Sequence, residues 1–309
     1  MNPLVSIIIP AFNKANLTAK TVESVLAQTY PNVEIIVVDD GSTDDTREKL
    51  APFHGRIQYV YKENGGACSA RNAGLRLAKG EYVGFLDCDD LYVSNKIELS
   101  AGYLEQHKDA GFVHTAAYFI DRDDNIVVGE YSHPQSYYNG WITRRLILGN
   151  YICNSTVIAR RSCFDKAGLF DETIFPPADW DMWLRLSEHY SIGYIDIPLT
   201  KYRVCNNYIF KRLEQSRQEE FVVINKFFER NLRWNSFLKN QAISNLHLRY
   251  TGCYLLHENH PALKKEFLLC LKANPFNFKA LFLFSYFLVA ASHLKMVLRR
   301  KILRGSTLT

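Results

Sequence analysis

The stretch YVGFLDCDDLY, residues 82–92, places three aspartates within four positions directly after a run of apolar and β-favouring residues. Residues 82–86 predict a buried strand, because aromatic and β-branched side chains suit a pleated, half-buried surface. Asp87, Asp89 and Asp90 then carry like charges that repel one another. Such a cluster either awaits a cation or forms a solvated turn before the next helix, and the stretch alone does not decide between these interpretations.

Strands and helices alternate four times through the first third of the chain. Short apolar runs predict strands at 5–9, 34–38, 57–61 and 82–86. Helical spacing and polar caps predict helices at 17–28, 43–50, 67–78 and 94–105. This alternation predicts an α/β fold, with a Rossmann-like and mostly parallel sheet flanked by helices. The connections between its parallel strands are expected to be right-handed.

The pattern becomes mixed after residue 108. Strands are predicted at 111–120, 126–131, 155–159 and 191–195, and helices at 162–167 and 178–189. From about residue 209 the strand pattern ends, and apolar residues at helical spacing predict a helical C-terminal extension. We therefore expect a domain over 1–208, with halves at 1–108 and 109–208, followed by a helical region over 209–309.

Polar and acidic residues follow each of the first four predicted strands. They are Pro10-Ala11-Phe12-Asn13, Asp39-Asp40, Lys62-Glu63-Asn64 and Asp87-Cys88-Asp89. Since open α/β sheets bind ligands at the carboxyl ends of their strands, these residues predict one site. Asp87 and Asp89 suit Mg²⁺ or Mn²⁺, which take few carboxylates plus phosphate oxygens. Dinucleotide, P-loop, zincin and nucleophile-elbow motifs are absent from the sequence.

Composition narrows the class of protein. The 309 residues are 47% hydrophobic and 22% charged, which is ordinary for a globular protein. The net charge is +5, but residues 264–304 hold nine Lys or Arg and one acid, so the rest is net negative. This argues against a nucleic-acid partner and favours an anionic surface for the tail. The seven scattered cysteines and the lack of a signal peptide favour the cytoplasm.

Five segments in order resemble the family 2 glycosyltransferases, which have the GT-A fold. They are SIIIPAFNK, VVDDGSTDDT, ENGGACSARNAG, GEYVGFLDCDD and ADWDMWLRL, within residues 3–205. The resemblance implies a nucleotide-diphospho-sugar donor, most often a UDP-sugar, and inversion at the anomeric carbon. It also implies a divalent metal, Mn²⁺ or Mg²⁺.

The resemblance also implies residue roles. The nucleotide-sugar would contact Pro10, Ala11, Phe12, Asn13, Asp40, Asn64, Arg71, Asp87, Cys88 and Asp89. Of these, Asp40 would face uracil, and Asp89 with Asp87 would hold the metal. Asp179 would be the general base, with Trp180 and Asp181 near the acceptor. The chain departs from the family at Ala178, where an acid is usual, and at Cys205, where relatives often have a histidine.

Two other functions stay open at this stage. A phosphohydrolase of the haloacid dehalogenase type would use Asp87 and Asp89, and a catalytically silent, sugar-binding relative would explain Ala178 and Cys205. The expected acceptor is a saccharide or lipid-linked saccharide of cell-envelope polysaccharide synthesis. The apolar run 280–291 is too short to span a bilayer. With the basic residues after it, this run predicts either peripheral binding to the inner face of the membrane or a helix packed on the catalytic domain.

Overall fold

The structure is a computed structural model that describes residues 2–128, 138–204 and 213–280. It divides into two compact units: residues 1–143 with 151–205, and residues 144–150 with 206–309. Three of the predicted features lie wholly or partly outside the described residues. They are residues 129–131 of the predicted strand 126–131, Cys205, and nearly all of the predicted membrane-binding run 280–291. Among the helices in the described ranges, none is long and apolar enough to cross a membrane.

The first half of the larger unit is a parallel sheet with the strand order β3-β2-β1-β4. Its strands are β1 (Val5–Ala11), β2 (Val33–Asp39), β3 (Gln58–Tyr61) and β4 (Tyr82–Phe85). The connecting helices are α1 (Ala15–Leu26), α2 (Thr46–Leu50) and α3 (Ala67–Leu77). All seven residues of β1 are buried, as expected for a central strand covered by helices on both faces. The alternation predicted from the sequence is confirmed here.

The second half extends the same sheet in the order β4-β8-β6-β9-β5, with β7 paired to β6. Its strands are β5 (Leu91–Tyr92), β6 (Ala110–Ile120), β7 (Ile126–Val128), β8 (Ile158–Arg160) and β9 (Ser191–Arg203). Its helices are α4 (Lys96–Gln106), α6 (Phe164–Ala167) and α7 (Ala178–Ser187). Helix α5 (Thr143–Leu146) begins at the last residue of the segment 1–143, and its other residues belong to the second unit. Strand β8 runs antiparallel to both β4 and β6, whereas β6 and β9 are parallel. The sheet is therefore parallel at the predicted nucleotide half and mixed beyond it.

Two predicted elements differ from the structure. Residues 155 and 156, predicted as the start of a strand, lie in a 3-10 turn over Asn154–Thr156, and the strand begins only at Ile158. Strand β9 continues to Arg203, eight residues beyond its predicted end. The described residues after 212 in the second unit are mainly helical, as expected, with α8 (Leu213–Arg230), α9 (Ser236–Leu256) and α10 (His260–Ala273).

Helix α3 lies very close to β1. A Cβ atom added at Gly74 would stand 2.4 Å from Cγ2 of Ile8, a fully buried residue of β1. At Gly102, inside α4, an added Cβ meets nothing within 4 Å. The close approach at Gly74 fixes how far α3 lies above the sheet, and α3 starts at the edge where the strands end.

We expect Gly74→Ala to lower the free energy of unfolding by about 1–3 kcal/mol, because the added methyl overpacks the contact with Ile8. Gly102→Ala is the matched control and should raise stability by about 0.5–1 kcal/mol, since alanine suits a helix interior better than glycine. Urea unfolding of both variants measures the two changes. Equal stability of the two variants would contradict the packing described for α3.

Candidate active site

The carboxyl ends of β1 and β2 are tied together by Asn13. Its backbone N–H donates to Ser42 Oγ (3.0 Å), and its side-chain Oδ1 accepts from Thr43 N (2.8 Å). Asn13 adopts a φ of 49°, a left-handed conformation that asparagine tolerates. Beside it, Phe12 is 45% exposed while Ala11 is buried. Among the residues 10–13, which are predicted to contact the nucleotide-sugar, Phe12 therefore offers an exposed aromatic ring.

Asp40 organises the loop that starts α3. One carboxylate oxygen accepts from Lys62 Nζ (2.7 Å) and Gly65 N (3.0 Å), and the other accepts from Gly66 N (2.7 Å). Asn64 Nδ2 donates to the backbone oxygen of Asp40 (2.9 Å). Both carboxylate oxygens thus have protein donors already. The uracil-facing role of Asp40 stays a prediction, and a base would have to use the remaining lone pairs.

Asp87 is held by two donors from different parts of the chain. Its Oδ1 accepts from Arg71 Nη2 (2.6 Å) and from Asn154 Nδ2 (3.1 Å). Burial disfavours the charged guanidinium of Arg71, but the charge and hydrogen bond of Asp87, together with other neighbouring groups, raise the pKa of Arg71 overall. Arg71 also lies over the ring of Phe170 at 5.7 Å. Arg71 and Asp87, both predicted to contact the nucleotide-sugar, are therefore brought together.

Asp89 has a cation of its own. Lys14 Nζ lies 2.6 Å from Asp89 Oδ2, and Arg203 Nε donates to the backbone oxygen of Asp89 (2.8 Å). Partial burial lowers the pKa of Lys14, but the charge and hydrogen bond of Asp89, together with other neighbouring groups, raise that pKa overall. Between the two aspartates, burial raises the pKa of the Cys88 thiol to about 12, so Cys88 is a neutral packing residue. The sequence did not single out Lys14 or Arg203.

The position of Asp90 in the sequence suggested that it starts the next helix, but the structure shows that it does not. It is 1% exposed and accepts from Ser155 Oγ (2.5 Å) and from Arg203 N (2.8 Å), whereas α4 begins only at Lys96. Burial, followed by the charges of Asp87 and Asp89, raises the pKa of Asp90 well above its ordinary value. Asp90 therefore joins the end of β4 to the end of β9.

The turn Asn154-Ser155-Thr156 holds the loop that carries Asp87 and Asp90 in place. The sequence did not predict this role. Asn154 contacts Asp87, Ser155 contacts Asp90, and the Thr156 carbonyl accepts from Lys96 Nζ (2.7 Å). All three residues of the turn are buried. The segment reads as part of a strand in sequence, so only the fold reveals its role.

Asp179 lies in the first turn of α7 and is half-buried. Its Oδ1 accepts from Trp180 N (2.7 Å), a local bond at the helix N-terminus. After burial and Asp87, its charge also contributes to the raised pKa of Arg71. The role of Asp179 as general base stays a prediction.

Trp180 and Asp181 do not face an acceptor. Trp180 is 1% exposed, which leaves no ring face for a sugar. Asp181 is buried and its Oδ2 accepts from Arg185 Nε (2.8 Å), one helical turn later. The burial of both side chains does not support the predicted contacts with an acceptor. Trp183 lies in the core against Phe85 and Phe112.

The loop after β4 that carries Asp87, Asp89 and Asp90 is called the aspartate loop below. Its carboxylates suit a hard divalent cation that is shared with a substrate. The described ranges contain no group of three or more His, Cys, Asp or Glu that could hold a metal by itself. Mg²⁺ is usually held by one or two carboxylates plus substrate phosphates, and Asp87 and Asp89 supply that number. The residues therefore fit a metal that arrives with a diphosphate.

Comparison with known proteins identifies the family. Residues 6–165 match Glycosyl transferase family 2. An uncharacterized glycosyltransferase of Rickettsia typhi is 36% identical over 243 residues, 77% of this chain and 72% of the relative. The chain is a family 2 glycosyltransferase. Chondroitin synthase of Escherichia coli is 31% identical over 238 residues, covering 74% of this chain but only 33% of the synthase.

Solved structures share the fold at low sequence identity. S. aureus TarS 1-349 in complex with UDP-GlcNAc has a TM-score of 0.66 and 18% identity, covering 87% of this chain and 81% of TarS. Mannosyltransferase PcManGT from Pyrobaculum calidifontis, in complex with GDP-Man and Mn²⁺, has a TM-score of 0.63 and 18% identity, covering 99% and 86%. The predicted GT-A fold is confirmed, and membership of this family argues against the phosphohydrolase interpretation.

Lys96 beneath the site makes stability depend on pH. It is fully buried, bonds only to Ser100 Oγ (3.0 Å) and the Thr156 carbonyl, and burial lowers its pKa from 10.5 to about 7. Between about pH 7 and pH 10 the unfolded chain binds a proton that the folded chain lacks. The free energy of unfolding should therefore rise with pH, by at most about 1.4 kcal/mol per unit from this group.

We expect Lys96→Met to remove this contribution, so that wild type gains stability relative to the variant between pH 7 and pH 9. Urea unfolding of both proteins at the two pH values gives the difference and cancels other titrating groups. A difference in stability that does not change with pH would show that Lys96 titrates normally.

Proposed function

We propose that this enzyme moves a sugar from a nucleotide-diphospho-sugar, a UDP-sugar, to a hydroxyl of a saccharide or lipid-linked saccharide with inversion and with help from a divalent metal. The observation that carries the proposal is the aspartate loop after β4, where Asp87 and Asp89 lie beside Arg71 and Lys14 at the edge where the strands end. Support comes from TarS in complex with UDP-GlcNAc and PcManGT in complex with GDP-Man and Mn²⁺.

The donor half of the site would neutralise the leaving diphosphate. Asp89 and Asp87 would hold the metal, and the metal, when bound, acts as a Lewis acid on the phosphate oxygens. Arg71 carries a permanent positive charge beside Asp87. The N-terminus of α3, at Ala67, lies after the same strand edge and adds a positive dipole end. Phe12 offers an exposed ring to the nucleoside.

Asp179 would act on the acceptor. Its carboxylate takes the proton of the attacking hydroxyl while the hydroxyl oxygen bonds to the anomeric carbon. The bond from that carbon to the diphosphate oxygen breaks on the opposite face, and the nucleoside diphosphate leaves with the bonding electrons. One displacement of this kind inverts the anomeric configuration. The family's usual acid at position 178 is not required, because one carboxylate completes the proton transfer.

Binding of UDP should need a divalent metal. Without one, the diphosphate meets the charges of Asp87 and Asp89, and each unscreened like-charge pair at about 4 Å costs on the order of 4 kcal/mol at an effective dielectric of 20. Calorimetry of UDP with the full chain, in EDTA and in Mn²⁺, measures the effect. Equal affinity in the two buffers would exclude a metal from donor binding.

Asp179→Asn should lower transfer by about 10²–10⁴-fold, the usual contribution of a general base, and leave UDP binding nearly unchanged. Product formation from a panel of UDP-sugars is the readout, with UDP affinity as the check on folding. Asp165→Asn removes an exposed carboxylate of α6 in the same unit and serves as the control. Wild-type turnover in Asp179→Asn would place the base elsewhere.

We further propose that the C-terminal region binds the anionic inner face of a membrane, where lipid-linked precursors of cell-envelope polysaccharide would be met. Phe276 and Phe278 are 74% and 78% exposed, and the apolar run 280–291 follows them in sequence. The nine basic residues between 264 and 304 add attraction to anionic lipid, about 1 kcal/mol for each one near the surface. Exposed aromatic rings beside basic residues are typical of an interfacial segment.

Flotation with anionic liposomes tests this proposal. The full chain should float, and the double variant Phe276→Ala/Phe278→Ala should float several-fold less, because less apolar surface enters the interface. Leu232→Ala, at an 88% exposed position of the same unit, is the control and should behave as wild type. If the full chain stays in the soluble fraction, the region does not bind membranes and the lipid-linked acceptor loses its support.

A further inference from the structure

Asp87 and Asp89 have partners that differ in exposure. Arg71, the partner of Asp87, has a side chain that is 11% exposed and also lies over Phe170. Lys14, the partner of Asp89, is on the loop between β1 and α1 and its side chain is 42% exposed. A lysine carries its charge on a flexible four-carbon stem, so it changes partner more readily than a packed arginine. Of the two cations, Lys14 is the one free to move.

Lys14 and a divalent metal would use the same ligand. The ammonium lies 2.6 Å from Asp89 Oδ2, and the Asp89 side chain is only 16% exposed. A metal bound to this carboxylate would stand next to the ammonium, and the two positive charges would repel each other. Asp89 therefore cannot serve Lys14 and a metal at full strength together.

We propose that Lys14 is the resident cation of Asp89, that a divalent metal displaces it, and that a nucleoside diphosphate then receives the displaced ammonium. This inference rests on the proposed function, since it assigns the metal and the diphosphate to the aspartate loop. In the free protein the metal has to break the Lys14–Asp89 pair, and the ammonium gains only water. When a diphosphate is present, the ammonium exchanges one anionic partner for another.

The exchange makes metal and nucleotide binding cooperative. A metal that binds the free protein weakly should bind more tightly with UDP, and UDP affinity should rise with the metal by the same factor, because coupling between two ligands is reciprocal. Lys14 is thus a residue that sets how strongly the two ligands depend on each other. The Lys14 ammonium neutralises the Asp89 carboxylate until the donor binds.

Titration with Mn²⁺ alone tests the displacement, with free Mn²⁺ measured by electron paramagnetic resonance. Lys14→Gln should bind Mn²⁺ at least tenfold more tightly than wild type, because no ammonium competes for Asp89. Lys20→Gln is the matched control: Lys20 lies in the following helix α1 and pairs at the same distance, 2.6 Å, with Asp124 instead of with Asp87 or Asp89. It should bind Mn²⁺ as wild type does.

A second titration with UDP present completes the test. UDP should tighten Mn²⁺ binding to wild type by a larger factor than it tightens binding to Lys14→Gln. Lys14→Met, which also lacks the charge, should repeat the result and guard against a folding defect in one variant. Equal Mn²⁺ affinity of wild type and both variants, including no binding in any of them, would overturn the exchange. Failure of wild type to bind UDP with Mn²⁺ would instead contradict the proposed function.

Discussion

Three carboxylates within four residues have to be held together at the end of β4, and each has its own kind of partner. Asp87 pairs with Arg71, Asp89 with Lys14, and Asp90 accepts from Ser155 and Arg203. Unscreened repulsion between two such charges is on the order of 4 kcal/mol at 4 Å and an effective dielectric of 20, a large share of the stability of a folded domain. The loop is stable because these partners reach it from four separate segments of the chain.

The partners explain why the two halves of the sheet are joined as they are. Arg203 ends β9, Ser155 lies in the turn before β8, and β8 pairs antiparallel with β4. Arg203 donates to the Asp89 carbonyl from its side chain and to Asp90 from its backbone. It also pairs with Asp124 and donates to the Asp121 carbonyl. The second half of the unit therefore supports the aspartate loop, and the register of β9 positions the carboxylates that we propose as metal ligands.

Local patterns predicted the first half of the fold well, because parallel strands and their helices are encoded by short apolar runs and caps. The pairing of β8 was not predictable in this way, since it depends on contacts about 75 residues apart. Predicted roles that depended on exposure fared worse. Trp180 sits beside Asp179 in sequence, but its helix turns the indole into the core.

The site residues divide along the same line. Asp87, Asp89 and Arg71 were predicted because they follow a strand or lie in a helix that starts at the same edge of the sheet. Lys14 and Asn154 were missed, because their roles arise only when distant segments meet. Cys205 lies outside the described residues. Asp40 was found by its position, but its bonds to Gly65 and Gly66 were not foreseen.

The most direct test of the central claim is a crystal structure of the full chain with UDP and Mn²⁺, with the metal located by its anomalous scattering. The account predicts one Mn²⁺ in direct coordination with Asp89 and the diphosphate, Arg71 still beside Asp87, and the ammonium of Lys14 moved from Asp89 to a phosphate oxygen. UDP bound away from the aspartate loop, or Mn²⁺ bound to the nucleotide without an oxygen of Asp87 or Asp89, would contradict it.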